Sequence, residues 1–252
     1  MLRKIQSALG LVRAVHNWPL ALMDHAGVSH RPYVCRLRNG LRFHVRPGTD
    51  DGRVTFEIFV AGCYQLAQIE PDAIVIDIGA NIGLFSLLAA QKGAKVQAFE
   101  PEPDNFAILQ RNCQLNAADD VTARQAAVST ASGVSTLYLH DNTGYTGRHS
   151  LFPGRGTRTI EVSSLTLDEI VASAGRDSVD LVKIDCEGSE YDIIYGSSID
   201  TLDRVKQVIV ECGGFQSSAK NNQQELAKYL GRFGFSTQFR DGILYASKSG
   251  LD

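Results

Sequence analysis

The absences in this chain narrow its chemistry before any motif is read. Its five cysteines, Cys35, Cys63, Cys113, Cys186 and Cys212, are odd in number and include no C-x-x-C pair. That argues against a disulfide framework and a structural zinc site, and points to a reducing, cytoplasmic compartment. No block of lysine or arginine interrupts the sequence and the net charge is only -3, so nothing calls for nucleic acid as a partner; a small molecule is expected instead. There is no G-K-[ST] to close a P-loop, no G-x-S-x-G elbow, no internal repeat and no low-complexity linker. What remains, with 44% hydrophobic and 21% charged residues over 252 positions, is a globular chain long enough for one large α/β domain with a small addition in front.

The first residues, MLRKIQSALGLVRAVHNWPLALM, are basic and partly apolar. Arg13, His16 and Asn17 break any apolar core and no small-residue cleavage site follows, so a signal peptide is not expected. Leu2, Ile5, Leu9, Val12 and Val15 recur at helical spacing, predicting an amphipathic helix packed on its own domain or on a second copy in a homodimer. From Pro32 to Tyr64 two alternating runs flank Asn39-Gly40, a signal for a hairpin with a type I′ turn. Asp50 and Asp51 then open a helix from Val54 to Ala61. Residues 1–70 are therefore expected to form a helical and β-hairpin extension, and residues 71–252 the main domain.

After Pro71 the pattern becomes strand, turn, helix, repeated. AIVID is a continuous apolar run, IGLFSLLAAQKG a helix closed by Gly93, AKVQAFE a second strand, PDNFAILQRNCQLN a second helix and VTARQAAV a third strand. VDLVKID and VKQVIVE supply two more strands, and Asp241-Gly242 joins two closing strands. Alternation at this interval means a parallel sheet with helices on both faces, finished by an antiparallel strand. The segment 133–164 is irregular, and its pieces VSTLYLH and TRTIEVSS predict an inserted hairpin.

Ligands of such sheets bind at the carboxyl ends of strands where strand order reverses. There the sequence places Asp77 at the end of one strand, Gly79, Asn81 and Gly83 in the turn, and Glu100 at the end of the next strand. Glycines let a ligand approach the backbone, and a strand-end carboxylate can accept both hydrogens of a ribose diol. A dinucleotide site would want G-x-G-x-x-G; here Asn81 stands where the second glycine would admit phosphates. Asp77 would repel a pyrophosphate but suits an ammonium group. The ligand with a ribose, an ammonium and no phosphate is S-adenosylmethionine. Its adenine is expected between Pro101 and Glu102 on one side and Gln125, Ala126 and Ala127 on the other.

VIDIGANIGLFS, VQAFEPEPDNFAILQRN, SLTLDEI and DLVKIDCEGSEYDII, in this order over about residues 50 to 212, resemble the FkbM family of S-adenosylmethionine-dependent methyltransferases. The resemblance implies a Rossmann-like class I sheet of seven strands with the last antiparallel. It also implies O-methylation of a hydroxyl on a natural product, glycan or lipid-like acceptor.

Asp185, ending the fourth core strand, and Glu187 beside it are candidate catalytic residues, since a positioned base helps an alcohol lose its proton. His149 of the inserted segment is a second candidate base. Asp185 with Glu211 could instead hold a divalent cation that grips a substrate diol. Arg148, Arg155 and Arg158 are candidates for an acidic acceptor, and Trp18 and Tyr64 for lining the cleft. Competing readings are an NAD-dependent oxidoreductase, a non-catalytic S-adenosylmethionine-binding module, and a glycosyltransferase using Asp185-Cys186-Glu187 as a D-x-E pair.

Overall fold

The structure, a computed structural model, describes residues 9–28, 31–64, 67–154, 156–212 and 221–248. The apolar, β-branched runs become the centre of a seven-stranded sheet. Its strands are β3 (Ile74–Ile78), β4 (Lys95–Phe99), β5 (Val121–Arg124), β9 (Val179–Ile184), β10 (Val205–Glu211), β11 (Phe235–Arg240) and β12 (Ile243–Lys248). Their order is β11-β12-β10-β9-β3-β4-β5, and β12 is the one strand antiparallel to both neighbours. The expected sheet is therefore present, with the last strand in sequence inserted between β10 and β11. Asp241 and Gly242 both take positive φ, 51° and 86°, as a tight turn between right-twisted strands requires.

Helices cover both faces, as parallel strands buried on two sides demand. One face carries α3 (Leu84–Gln91) and α4 (Pro103–Leu115); the other carries α5 (Leu167–Ala172), α6 (Glu190–Gly196) and α8 (Gln223–Gly231). The short α7 (Ile199–Arg204) leads into β10. Period-2 alternation divides β3 between the faces: Ile74, Ile76 and Ile78 join the α5 side and Val75 the α3 side. Asp77 shares the parity of Val75, and β9 and β10 follow the same rule, with Leu181 and Ile209 on the α3 side. Lys183, Asp185 and Glu211 therefore point to the face that Asp77 occupies. This alternation assembles the polar centre.

In the extension, α1 (Trp18–His25), the hairpin β1 (Tyr33–Arg36) with β2 (Arg42–Val45), and α2 (Asp51–Phe59) are present. The hairpin lies where Asn39-Gly40 predicts it, but without a two-residue I′ turn: only Gly40 has positive φ, 97°. Asn39 instead accepts from the Leu41 amide at 3.2 Å and donates to Gln91 at 3.1 Å, so the loop is anchored to α3 by its side chain. Residues 9–14 are helical, yet the buried face differs from the one the spacing predicts. Leu11 and Val15 are in the core while Leu9 is 52% exposed; Leu2 and Ile5 lie outside the described residues. Gly10 is seated on Val60, where a Cβ would come within 2.4 Å, and that close approach fixes the rotation of the helix. Leu11, Val15, Phe43 and Val45 share one apolar cluster with Val75, Leu84 and Leu109.

The third expected strand divides. Val121–Arg124 stays in the main sheet, whereas Ala127–Val128 (β6) leaves it to pair with β8 (Arg158–Leu165), which also pairs with β7 (Gly133–Leu139). The expected inserted hairpin is thus β7–β8. It stands on the main domain as a three-stranded sheet, in the order β6-β8-β7.

Candidate active site

Two cavities meet at the carboxyl ends of β3, β4, β9 and β10. The first, with about 610 Å³ of free space counting its open mouth, is lined by Gly79, Asn81, Glu100, Pro101 and Asn105 on its polar side and by Phe99, Ala126, Val128, Leu137 and Leu151 on its apolar side. The second, about 1230 Å³ and open to solvent, is lined by Tyr64, Phe85, Lys183, Glu211 and Asp241 among others. Gly79, Asn81, Gly147, Asp185 and Glu187 belong to both, so they mark the passage between them.

The turn after β3 is built from three residues with positive φ: Gly79 (73°), Asn81 (51°) and Gly83 (86°). Only glycine fits the first, because a Cβ there would lie 1.8 Å from the Asp185 carbonyl oxygen. The amides of Gly79 and Ala80 donate to the Phe99 carbonyl at 3.0 and 2.9 Å, that of Gly83 to Ala80 at 2.8 Å, and that of Asn81 to Glu100 at 2.8 Å. With these donors committed, the turn has no ready cradle for a pyrophosphate, a firmer argument against a dinucleotide than the charge of Asp77.

Asp77 itself lines neither cavity. It is fully buried beneath α3, accepting from the Ser86 hydroxyl at 2.6 Å and lying 3.1 Å from Lys183 Nζ. The expectation that it faces a ligand's ammonium is thereby corrected: strand alternation turns it under the helix. Lys183, whose weight the sequence did not reveal, is the hub. Its ammonium donates to the Gly79 carbonyl at 2.9 Å and lies 3.6 Å from Asp185. Burial disfavours its charge, but Asp77 and Asp185 outweigh that and raise its pKa.

Glu100 is buried and accepts from the amides of Asn81 and Glu102 at 2.8 and 3.0 Å. Burial pushes its carboxyl up to about 7 against those hydrogen bonds. Glu102 caps α4, accepting from the Asn105 amide at 2.7 Å. Pro101 and Ala126 line the first cavity, but Gln125 is exposed and lines neither cavity. The chain kinks there, between β5 and β6, which sends its side chain outward.

Asp185 accepts from the Tyr64 hydroxyl at 2.8 Å and is hydrogen-bonded to Glu211. Burial alone would raise its carboxyl, yet Lys183 and these partners bring it below the ordinary value. Glu211 moves the opposite way, raised chiefly by the Asp185 charge; two carboxyls hydrogen-bonded to one another share one proton. Tyr64 holds a positive φ of 67°, packs edge-on against Phe85 and is fixed by its amide on the Tyr245 hydroxyl at 3.1 Å. Trp18 packs against the core and lines neither cavity.

Asp185 and Glu211 do come together, beside the Lys183 ammonium. The ammonium of Lys183 already neutralises Asp185, and among the described residues no three His, Cys, Asp or Glu side chains converge on a point. Glu187, at φ 57°, follows Asp185 in a loop whose Cys186 and Gly188 amides donate to the buried Glu190 at 3.0 and 2.9 Å. That anchor sits five residues beyond Asp185 in DCEGSE, a spacing that the sequence displays and that gains meaning only in the folded loop. His149 is half-buried on the first cavity and absent from the second. Burial pushes its imidazole down to about 4, and Nδ1 accepts from the His140 amide at 3.0 Å. With Nδ1 accepting, the ring proton of the neutral imidazole sits on Nε2. Arg148 lines the second cavity with its guanidinium 4.4 Å from the Tyr145 ring centre. Arg158 lies on β8, and Arg155 falls outside the described residues.

The family model for the "Methyltransferase FkbM domain" matches residues 77–237, from β3 into β11. The chain belongs to the FkbM methyltransferase family. It is 32% identical to the 31-O-demethyl-FK506 methyltransferase FkbM of Streptomyces tacrolimicus, with 70% of this chain and 80% of that protein covered. It is 31% identical to methyltransferase sdnD of Sordaria araneosa, over 62% of this chain and 72% of the relative. It is also 31% identical to the hexuronic acid methyltransferase AglP of Haloferax volcanii, over 58% of each. The methyl donor of this FkbM protein is S-adenosylmethionine, and the first cavity fits it. Asn81 Oδ1 is buried without a partner in the passage, where an amino-acid end would supply donors. Glu100 accepts one backbone amide on each oxygen and a further side-chain hydrogen bond from Asn105, and the carboxylate's remaining lone-pair capacity is open to a diol. No helix among the described residues is long and apolar enough to cross a membrane.

Proposed function

We propose that this FkbM protein methylates a hydroxyl of a small natural product, glycan or lipid-like acceptor that enters through the second cavity, with Asp185 receiving the proton. The observation that carries this reading is the position of Asp185 in the passage between the two cavities, its carboxylate held by Tyr64 and Lys183. S-adenosylmethionine supplies an electrophilic methyl on a sulfonium and leaves as the neutral thioether. Glu100 receives the ribose diol, Asn81 the amino-acid end, and Ala126, Leu137 and Leu151 pack the adenine. Much of the acceleration then comes from holding the acceptor oxygen in line with the methyl group, worth up to about 7 to 11 kcal/mol in well-oriented systems. Asp185, kept ionised by Lys183, takes the hydroxyl proton as the new bond forms. Glu187 lies beside it as a polar contact for the acceptor. Residues 1–70 act as an extension that supplies Tyr64 and the α2 wall, and residues 71–252 carry the cofactor.

Support for a hydroxyl acceptor comes from relatives named for it, among them the 31-O-demethyl-FK506 enzyme and a 2-O-methyltransferase NoeI of Sinorhizobium fredii. The five unpaired cysteines among the described residues favour the cytoplasm. The exposed Leu9 of the N-terminal helix, next to the exposed Leu20, Leu22 and Met23 of α1, supports a homodimer through this end of the chain; light scattering of the purified chain decides that point. The test of function is calorimetric titration with S-adenosylmethionine, followed by an acceptor screen with labelled methyl donor. Asp185→Asn is expected to bind the donor like the parent and to lose about 10² to 10⁴ in turnover. Unchanged turnover removes Asp185 from the mechanism; absence of donor binding by the parent chain removes the methyltransferase reading.

A further inference from the structure

Residues of the inserted segment roof the first cavity, and they are held there by Asp50 of the extension together with Asn105 of α4. Asp50 Oδ1 accepts from the Thr146 hydroxyl at 2.7 Å, the Thr146 amide at 3.0 Å and the Gly147 amide at 3.3 Å. Asn105 Nδ2 donates to the Thr146 carbonyl at 2.7 Å, and its Oδ1 accepts from Arg46 at 2.7 Å. Arg46 in turn makes a forked pair with Asp51 at 2.9 and 2.8 Å. Asp50 and Asn105 are only 5% and 2% exposed.

The roof is pressed onto this network. A Cβ on Gly144 would lie 2.7 Å from the Gly48 carbonyl oxygen, and one on Gly147 would lie 3.2 Å from Asn81 Nδ2. Thr146 and Gly147 face the same cavity as Asn81, Glu100 and Asn105. Lifting the roof therefore breaks three hydrogen bonds to the buried Asp50 carboxylate, which retains its 3.4 Å pair with Arg53, and one from the buried Asn105 amide.

We propose that Asp50 and Asn105 are positioning residues that clamp Thr146 and Gly147 over the bound cofactor, so that the N-terminal extension sets how fast the spent cofactor leaves. This rests on the first cavity being the S-adenosylmethionine site. Asp50 touches no reacting atom; it acts through the roof. Because the clamp spans the extension, α4 and the inserted segment, it couples closure of the cofactor cavity to the wall of the acceptor cavity that α2 forms.

Surface plasmon resonance of the full immobilised chain, with S-adenosylmethionine and S-adenosylhomocysteine as probes, tests this. Asp50→Ala is expected to release S-adenosylhomocysteine about 10- to 100-fold faster, from hydrogen bonds to a charged group. Asp50→Asn, which keeps an acceptor oxygen, is expected to fall between it and the parent. Thr146→Val removes the hydroxyl bond to Asp50 and its longer 3.3 Å bond to Asp51 while leaving both carboxylates in place, and stands in if Asp50→Ala does not fold. Thermal melting of each variant separates the clamp from general loosening, since faster release at an unchanged melting temperature belongs to the roof. Release within about twofold of the parent in folded Asp50→Ala, or in Thr146→Val where it replaces it, overturns the proposal. A parent chain that binds neither probe overturns the cofactor reading and this inference with it.

Discussion

Replacing Lys183 with methionine preserves most of the side-chain volume and removes the charge on which the polar centre depends. In the parent, the ammonium lies 3.1 Å from Asp77 and 3.6 Å from Asp185, with its side chain 4% exposed and that of Asp77 0%. Removing one partner of a buried pair leaves an uncompensated charge and costs about 3 to 5 kcal/mol. For a chain of this size each kcal/mol lowers the melting temperature by about 2 to 4 °C, so a drop of roughly 6 to 20 °C is expected. Asp77→Asn on that background keeps a partner for the Ser86 hydroxyl and removes the stranded charge, so the double variant is expected to regain most of the loss.

The pH dependence has a definite sign. A buried carboxyl without its ammonium has a folded pKa above the unfolded value of about 3.9. Its cost is absent below about pH 4 and grows as pH rises through the folded value, so the deficit of Lys183→Met relative to the parent should shrink on acidification. Urea denaturation of the parent, the single and the double variants between pH 4 and 8 reads all three quantities. A single variant within about 1 kcal/mol of the parent, or a double variant no better than the single, would refute the account of Lys183 as hub.

Glu100, with its carboxyl raised to about 7 by burial, should make donor affinity weaken about tenfold per pH unit below that value, because the diol needs the ionised form. Calorimetry from pH 5.5 to 8.5 measures it, and a flat profile would remove Glu100 as the diol acceptor. The same raised value means that the cofactor-free chain loses stability from this group as pH climbs from about 4.5 to 7, which melting without ligand should register. Gly79→Ala combines a Cβ 1.8 Å from the Asp185 carbonyl with a φ of 73°. A loss of about 3 kcal/mol or more is expected, and near-parental stability would mean that the β3 turn and the β9 end separate easily.

The fold was legible because its signals are local. Apolar runs such as AIVID, glycine turns and helical spacing set strand, turn and helix one after another, and FEPEP and KIDCEG mark the strand ends without any knowledge of pairing. Places where the sequence misled involve contacts between distant segments. Leu9 against Leu11 was decided by Gly10 docking on Val60, and the I′ turn was replaced by the anchor from Asn39 to Gln91. The third strand split because β6 pairs with β8.

The sequence by itself determined which residues are available to the site: Gly79, Asn81, Glu100 and Asp185 all line the first cavity from their places in the motifs, while Gly83 shapes the turn without lining either cavity. Tertiary structure decided what each can do. Parity along β3 turned Asp77 under α3, and register placed Lys183 opposite it across the β3–β9 pair. Folding of the extension brought Tyr64 to Asp185 and Asp50 to Thr146, across 121 and 96 positions of chain. Residue identity is written locally, but charge state and reach depend on neighbours that only the closed fold supplies.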